Sequence, residues 1–88
     1  MRYYILFGEC FTSRENTYAY LQRVFGFPDT FGNNLDALWD SLTDLKGSEI
    51  QIVNARNIIE EMGDYGMKIL NVFGDLAQEG YCNVTINW

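Results

Sequence analysis

The stretch Thr30–Leu45, TFGNNLDALWDSLTDL, carries more information than any other part of the chain. Read as a helix starting near Asn34, it sorts into two stripes. Leu35, Leu38, Trp39, Leu42 and Leu45 follow the i, i+3, i+4, i+7 spacing of a helix packed on a core. Asp36, Asp40 and Asp44 form a second stripe, each four residues from the last, with Trp39 at the border. Gly32 permits an unusual turn, and Asn33 is a favoured N-cap with Asp36 three residues on. Asp36 then sits near the helix N-terminus, where the macrodipole favours a negative charge. Asp40 and Asp44 lie in the second half, where it does not. Like charges at i, i+4 also destabilise a helix, by about 0.2–0.5 kcal/mol per pair. No Lys or Arg occurs between Arg23 and Lys46 to offset them. Local rules broken without local compensation point to function. The competing reading is a solvated face of an acidic protein. Trp39 weighs against it, because Trp is enriched at binding hot spots.

The elements on either side of this helix can be assigned from pattern. Arg2 to Phe7 is apolar, β-branched and aromatic, and is stopped by Gly8, so it reads as a buried strand. Thr12 with Glu15 makes a capping box for a helix running to about Phe25, with Tyr18, Leu21, Val24 and Phe25 inward and Gly26 at its end. Pro28 biases Phe27 to an extended shape and opens the loop into the acidic helix. Gly47 closes that helix, and Glu49–Val53 is a short strand. Asn54 is expected to cap a short helix, Ala55–Met62, stopped by Gly63. A longer helix opens at Asp64 or Gly66 and ends at Glu79. Its inner face is Ile69, Leu70, Phe73, Leu76 and Ala77, and its neighbouring stripe is Lys68, Val72, Asp75 and Glu79. Gly74 inside it costs about 1 kcal/mol against alanine, which implies close packing or close approach of a partner. Cys82–Trp88 alternates as a strand with Cys82, Val84, Ile86 and Trp88 on one buried face.

The order is therefore β-α-α-β-α-α-β. Strands joined through helices run parallel, so the expected fold is α/β, a three-stranded parallel sheet packed with about four helices. The pattern leaves the strand order open. Residues 1–88 are expected to form a single domain. At this size only about 60–65% of the unfolded surface is buried, and the 48% hydrophobic and 16% aromatic content supplies the core.

Net charge is −6 with a pI near 4.3, which argues against nucleic acid or an anionic membrane and suits a basic protein partner. MRYYILF is too short for a secretory signal, and nothing approaches membrane-spanning length. Cys10 and Cys82 have no metal-ligand spacing and fall near opposite ends of the sheet, so free thiols in a cytoplasmic protein are expected. The chain has no histidine, no nucleophile elbow, no phosphate-cradling glycine loop and no Cys/His cluster. Asp36 with Asp40, or Asp75 with Glu79, could in principle hold Mg²⁺ or work as paired carboxylates. Each pair is one helical turn apart on an outer face, with no sign of a deep pocket. Neither enzymatic activity nor a cofactor is expected. A surface that binds another protein's cations needs only fixed carboxylates, an aromatic anchor and a rigid helix.

FGNNLDALWDSL resembles the signature of the barstar family, small intracellular inhibitors of secreted microbial ribonucleases. NLDALWD, Asn34 to Asp40, is its most specific part. The resemblance extends over nearly the whole chain, through the first strand ending in Gly8, the helix before FGFP, and VFGDLAQEGYCNVTI. It implies a partner: a basic, barnase-like ribonuclease, bound 1:1 by a chain that is monomeric when free. Asp40 matches the family's central carboxylate, which takes the place of substrate phosphate. Asp36 matches a second carboxylate that pairs with an enzyme arginine, and Trp39 the aromatic beside them. Gly32 and Asn34 match the loop that brings backbone against the enzyme. Asp75 matches an acidic residue of the last helix and Glu79 a more peripheral one. Thr30, Phe31, Asn33, Thr43 and Asp44 complete the expected partner-facing set. The chain departs from the family pattern at Thr30, where a stacking ring is common, at Asn33, where an acidic residue is common, at Ser41, where a cysteine is frequent, and at the added Asp44. These departures keep open an alternative, an immunity or antitoxin module that uses the same face against a different basic toxin.

Overall fold

Parallel strands need long crossovers, and the helices of this chain supply them. The computed structural model describes residues 2–88. Strand β1 (Tyr3–Phe7) passes through a 3-10 turn (Gly8–Cys10) into α1 (Arg14–Phe25). α2 (Leu35–Thr43), β2 (Glu49–Val53), α3 (Arg56–Gln78) and β3 (Asn83–Ile86) follow. The sheet is three-stranded and parallel in the order β1-β2-β3, with Tyr3 opposite Glu49 and Glu49 opposite Asn83. This is the expected α/β class. Among the described residues three helices form instead of four, because the last two expected ones follow each other without a gap as α3, two helices joined across a kink. A break remains at Gly63, whose backbone (φ 58, ψ −131) is non-helical. Met62 and Tyr65, on either side of the break, are both held by α1. Thr17 Oγ1 donates to Met62 Sδ at 3.2 Å, and the Tyr18 and Tyr65 hydroxyls share a short hydrogen bond. Gly66 lets the two halves meet, since a Cβ there would lie 2.5 Å from the Ile58 carbonyl oxygen.

Several local assignments are corrected by longer-range contacts. The cap of α1 is Ser13, whose hydroxyl accepts from the Asn16 N–H, and Thr12 instead binds the Asn16 side chain. Asn54 does not cap α3. It sits in the left-handed region (φ 55), and its side chain donates to Glu9 across the ends of β1 and β2. That crossing is tight, because a Cβ on Gly8 would fall 1.9 Å from the Asn54 carbonyl oxygen.

The helices cover one face of the sheet only. Leu6, Ile50 and Ile52 are buried against Phe11, Tyr18, Leu21, Leu38, Leu42, Ile58, Ile69 and Phe73. β1 is therefore not a fully buried strand. Leu6 alone is buried, while Tyr3, Ile5 and Phe7 are 56%, 39% and 47% exposed on the open face. Trp88 lies past the last strand residue and is 57% exposed, not part of the inner stripe. Cys10 (exposed) and Cys82 (buried) are free thiols. Among the described residues no helix is long and apolar enough to cross a membrane.

Candidate partner-binding surface

α2 is set by its cap. The N-cap is Asn34, one residue beyond the expected Asn33. Its Oδ1 accepts from the Ala37 N–H at 2.7 Å while its Nδ2 donates to the Gly32 carbonyl at 3.1 Å. Asn33 is instead the turn residue, in the left-handed region at φ 53, which Asn tolerates better than most residues. The side chain of Asn34 is thus spent inside the loop, and what it can offer a partner is main chain. Gly32 has little room, since a Cβ would meet the Ala37 Cβ at 3.1 Å. Phe31 is buried, with its ring against Phe27 and Tyr18, and it anchors the loop beneath an exposed Thr30.

The periodicity of the helix is realised. Leu38 and Leu42 are fully buried, Leu45 is buried just past the end, and Leu35 is half-buried. Asp36, Asp40 and Asp44 are all exposed, with Asp36 in the first turn and no basic residue in the last. Among the described residues no Lys or Arg of the chain comes within 4.0 Å of these carboxylates. Half-buried Thr43 turns its hydroxyl back onto the Asp40 carbonyl at 2.8 Å.

Trp39 is half-buried and meets Tyr81 edge-to-face, ring centroids 5.8 Å apart. Tyr81 follows Gly80, which takes up a left-handed turn (φ 80) at the end of α3. The contact braces the indole and sets α2 beside the end of α3, where Glu79 lies. Asp75, one turn earlier, is also exposed. α2 and α3 pack on each other, so the structure brings the two acidic stripes onto neighbouring elements. Tyr81 is the residue that sequence reasoning missed. An aromatic in a turn has no local signature of bracing a ring on another helix. Gly74, in contrast, does not serve close packing within the chain: a Cβ there would meet nothing within 4 Å.

Two depressions occur elsewhere, one on the open sheet face lined by Tyr3, Glu49, Gln51 and Thr85, the other beyond α2 lined by Arg2, Asp44, Lys46 and Ser48. Neither takes in Asp36, Asp40, Asp75 or Glu79. Among the described residues no group of three His, Cys, Asp or Glu is placed to hold a metal.

The sequence profile of the family described as Barstar (barnase inhibitor) matches residues 1–84. The chain belongs to the barstar family. Among curated proteins it is similar to the one named "Putative ribonuclease inhibitor YrdF" of Bacillus subtilis (strain 168). The two are 33% identical over 81 residues, covering 90% of this chain and 89% of YrdF. The barstar match takes in β1, α1, α2, β2, the kinked α3 and the first half of β3. The acidic helix and its brace therefore lie wholly within the region the family shares.

Proposed function

We propose that this protein inhibits a barnase-like ribonuclease by occlusion, without chemistry of its own. The observation that carries the reading is the exposed Asp36–Asp40 pair on α2, beside a braced Trp39 and, among the described residues, with no Lys or Arg in ion-pair contact. A ribonuclease active site is basic because it must hold RNA phosphate. Carboxylates held on a rigid helix offer such a site the same charge at a fixed spacing. On this reading Asp40 occupies the phosphate position among the enzyme's cationic side chains, and Asp36 pairs with an arginine. Asp75 and Glu79 extend the contact from α3, and the Gly32–Asn34 main chain closes against the enzyme. The family's description as barnase inhibitor and the name of YrdF support the same partner. Residues 1–88 act as one barstar-like domain that is monomeric when free and binds 1:1 in the cytoplasm, with no contact to nucleic acid or membrane.

The expected interface is about 800 Å² on each partner. The charge of −6 makes association fast and sensitive to salt. The test is to follow RNA cleavage by a barnase-like ribonuclease as the protein is titrated in. Cleavage that stops at one equivalent, with an association rate that falls as salt rises, supports the proposal. Undiminished cleavage in stoichiometric excess rejects that target. A second reading rests on Thr30, small and exposed where the family commonly carries a ring: the same face would then neutralise a different basic toxin. Capture of a non-ribonuclease toxin by the protein, with loss of capture in Asp40→Ala, would favour it.

A further inference from the structure

β1 lies at one edge of the sheet. Its main-chain groups alternate in direction, and the bond from the Glu49 N–H to the Arg2 carbonyl (2.9 Å) fixes which residues face β2. Arg2, Tyr4 and Leu6 point their N–H and C=O groups to β2. Tyr3, Ile5 and Phe7 point theirs away from the sheet. Such an edge is a template for adding another strand, and proteins usually blunt it with charge, proline or a bulge. β1 has none of these, since Tyr3–Gly8 contains no charged residue and no proline. The same three residues also put their apolar side chains on the uncovered face.

The edge is self-complementary. With Ile5 on a two-fold axis, antiparallel pairing sets Tyr3 against Phe7 of a second copy, an aromatic cross-strand pair on the open face, and leaves the helices of both copies on the other face. The outer bonds of that pairing need the Phe7 N–H as donor to the Tyr3 carbonyl of the other copy. That N–H is already taken, because it donates to the Tyr20 hydroxyl at 2.9 Å. Tyr20 is buried on α1, its ring edge-to-face with Phe11 at 5.7 Å, so the hydroxyl is held firmly at the rim of the sheet.

We infer that the Tyr20 hydroxyl closes the β1 edge, and that without it two copies of this chain join through β1 into one continuous sheet. With Tyr20 in place both outer pairs lose that bond and only the Ile5 pair remains whole.

Sedimentation of the whole chain across a concentration series tests this. The native protein is expected to stay at its monomer mass of 10.2 kDa. Tyr20→Phe, which keeps the ring and removes only the hydroxyl, is expected to reach about twice that mass as concentration rises. Ile5→Lys in the Tyr20→Phe background should restore the monomer. A folded Tyr20→Phe that stays monomeric overturns the inference, as does a native protein that already dimerises or a dimer that survives Ile5→Lys. Hydrogen exchange on the native protein is a second measurement, independent of whether the variant folds. The Phe7 amide should be protected and the Tyr3 and Ile5 amides fast. A Phe7 amide as fast as theirs overturns the inference equally.

Discussion

Asp40→Ala separates what α2 does for its own fold from what it offers a partner. In the free protein the substitution removes two like-charge i, i+4 contacts, to Asp36 and to Asp44. Each is worth about 0.2–0.5 kcal/mol before the screening that an exposed site brings. It also replaces a middling helix former with the best one, at a gain of roughly 0.5 kcal/mol. The Thr43 hydroxyl bond goes to the main-chain carbonyl of residue 40 and survives. No hydrophobic contact is lost. The free protein should therefore gain up to about 1 kcal/mol, a rise in Tm of about 4–8 °C for a chain of this size. In the complex the same change would strand the cations of the ribonuclease site without their counter-charge. A loss of at least about 2 kcal/mol is expected, near thirtyfold in Kd. Calorimetry on the free variant and inhibition titrations against a barnase-like ribonuclease give the two halves. A variant destabilised by more than about 1 kcal/mol would mean Asp40 has a structural partner that the geometry does not contain. A variant of undiminished potency would remove Asp40 from the interface.

Asn34→Ala removes the cap of α2 and the tie to Gly32, and should lower stability by about 1 kcal/mol, read by urea denaturation. Two glycine-to-alanine changes should diverge in the same assay: Gly8→Ala drives a Cβ into the Asn54 carbonyl and should cost several times RT or prevent folding, whereas Gly74→Ala meets nothing and should stabilise by up to about 1 kcal/mol. Stability should hold below about pH 9 and fall as pH rises beyond 10. Burial pushes the Tyr18 and Tyr20 phenols above their ordinary value of 10.0, with the Tyr65 hydroxyl adding to the rise at Tyr18, and burial pushes up the Cys82 thiol from 9.0. A group raised on folding contributes fully below its unfolded pKa and loses that contribution as pH climbs through its folded one. A pH series of denaturation midpoints that stays flat to pH 12 would contradict this.

Several features were legible because they are local. The bounds of β2, the αL glycine ending α1, and the core stripe of α2 follow from spacing and turn chemistry, and all occur as read. The misses arose where two local signals were nearly equivalent or a distant contact decided. Asn33 and Asn34 are both good caps, and loop geometry gave the role to the second. At α1 the cap is Ser13 in place of the expected Thr12, and both are residue types that cap well. Asn54 had the composition of a cap, but its side chain found Glu9, far away in sequence.

The amino-acid sequence alone determined the carboxylate row on α2, the absence of cations between Arg23 and Lys46, the parallel α/β class and the barstar signature. Each depends on residues within a few turns of one another, where helical and strand periodicity dictates which side chains share a face. Only the tertiary structure decided that the strands lie in the order β1-β2-β3 and that one sheet face stays open. It also decided that Tyr81 braces Trp39 and that the Tyr20 hydroxyl reaches the rim of β1. Those outcomes depend on which apolar faces meet when the chain collapses. No single segment encodes that choice, because every helix here has one apolar stripe and several surfaces against which it could be buried.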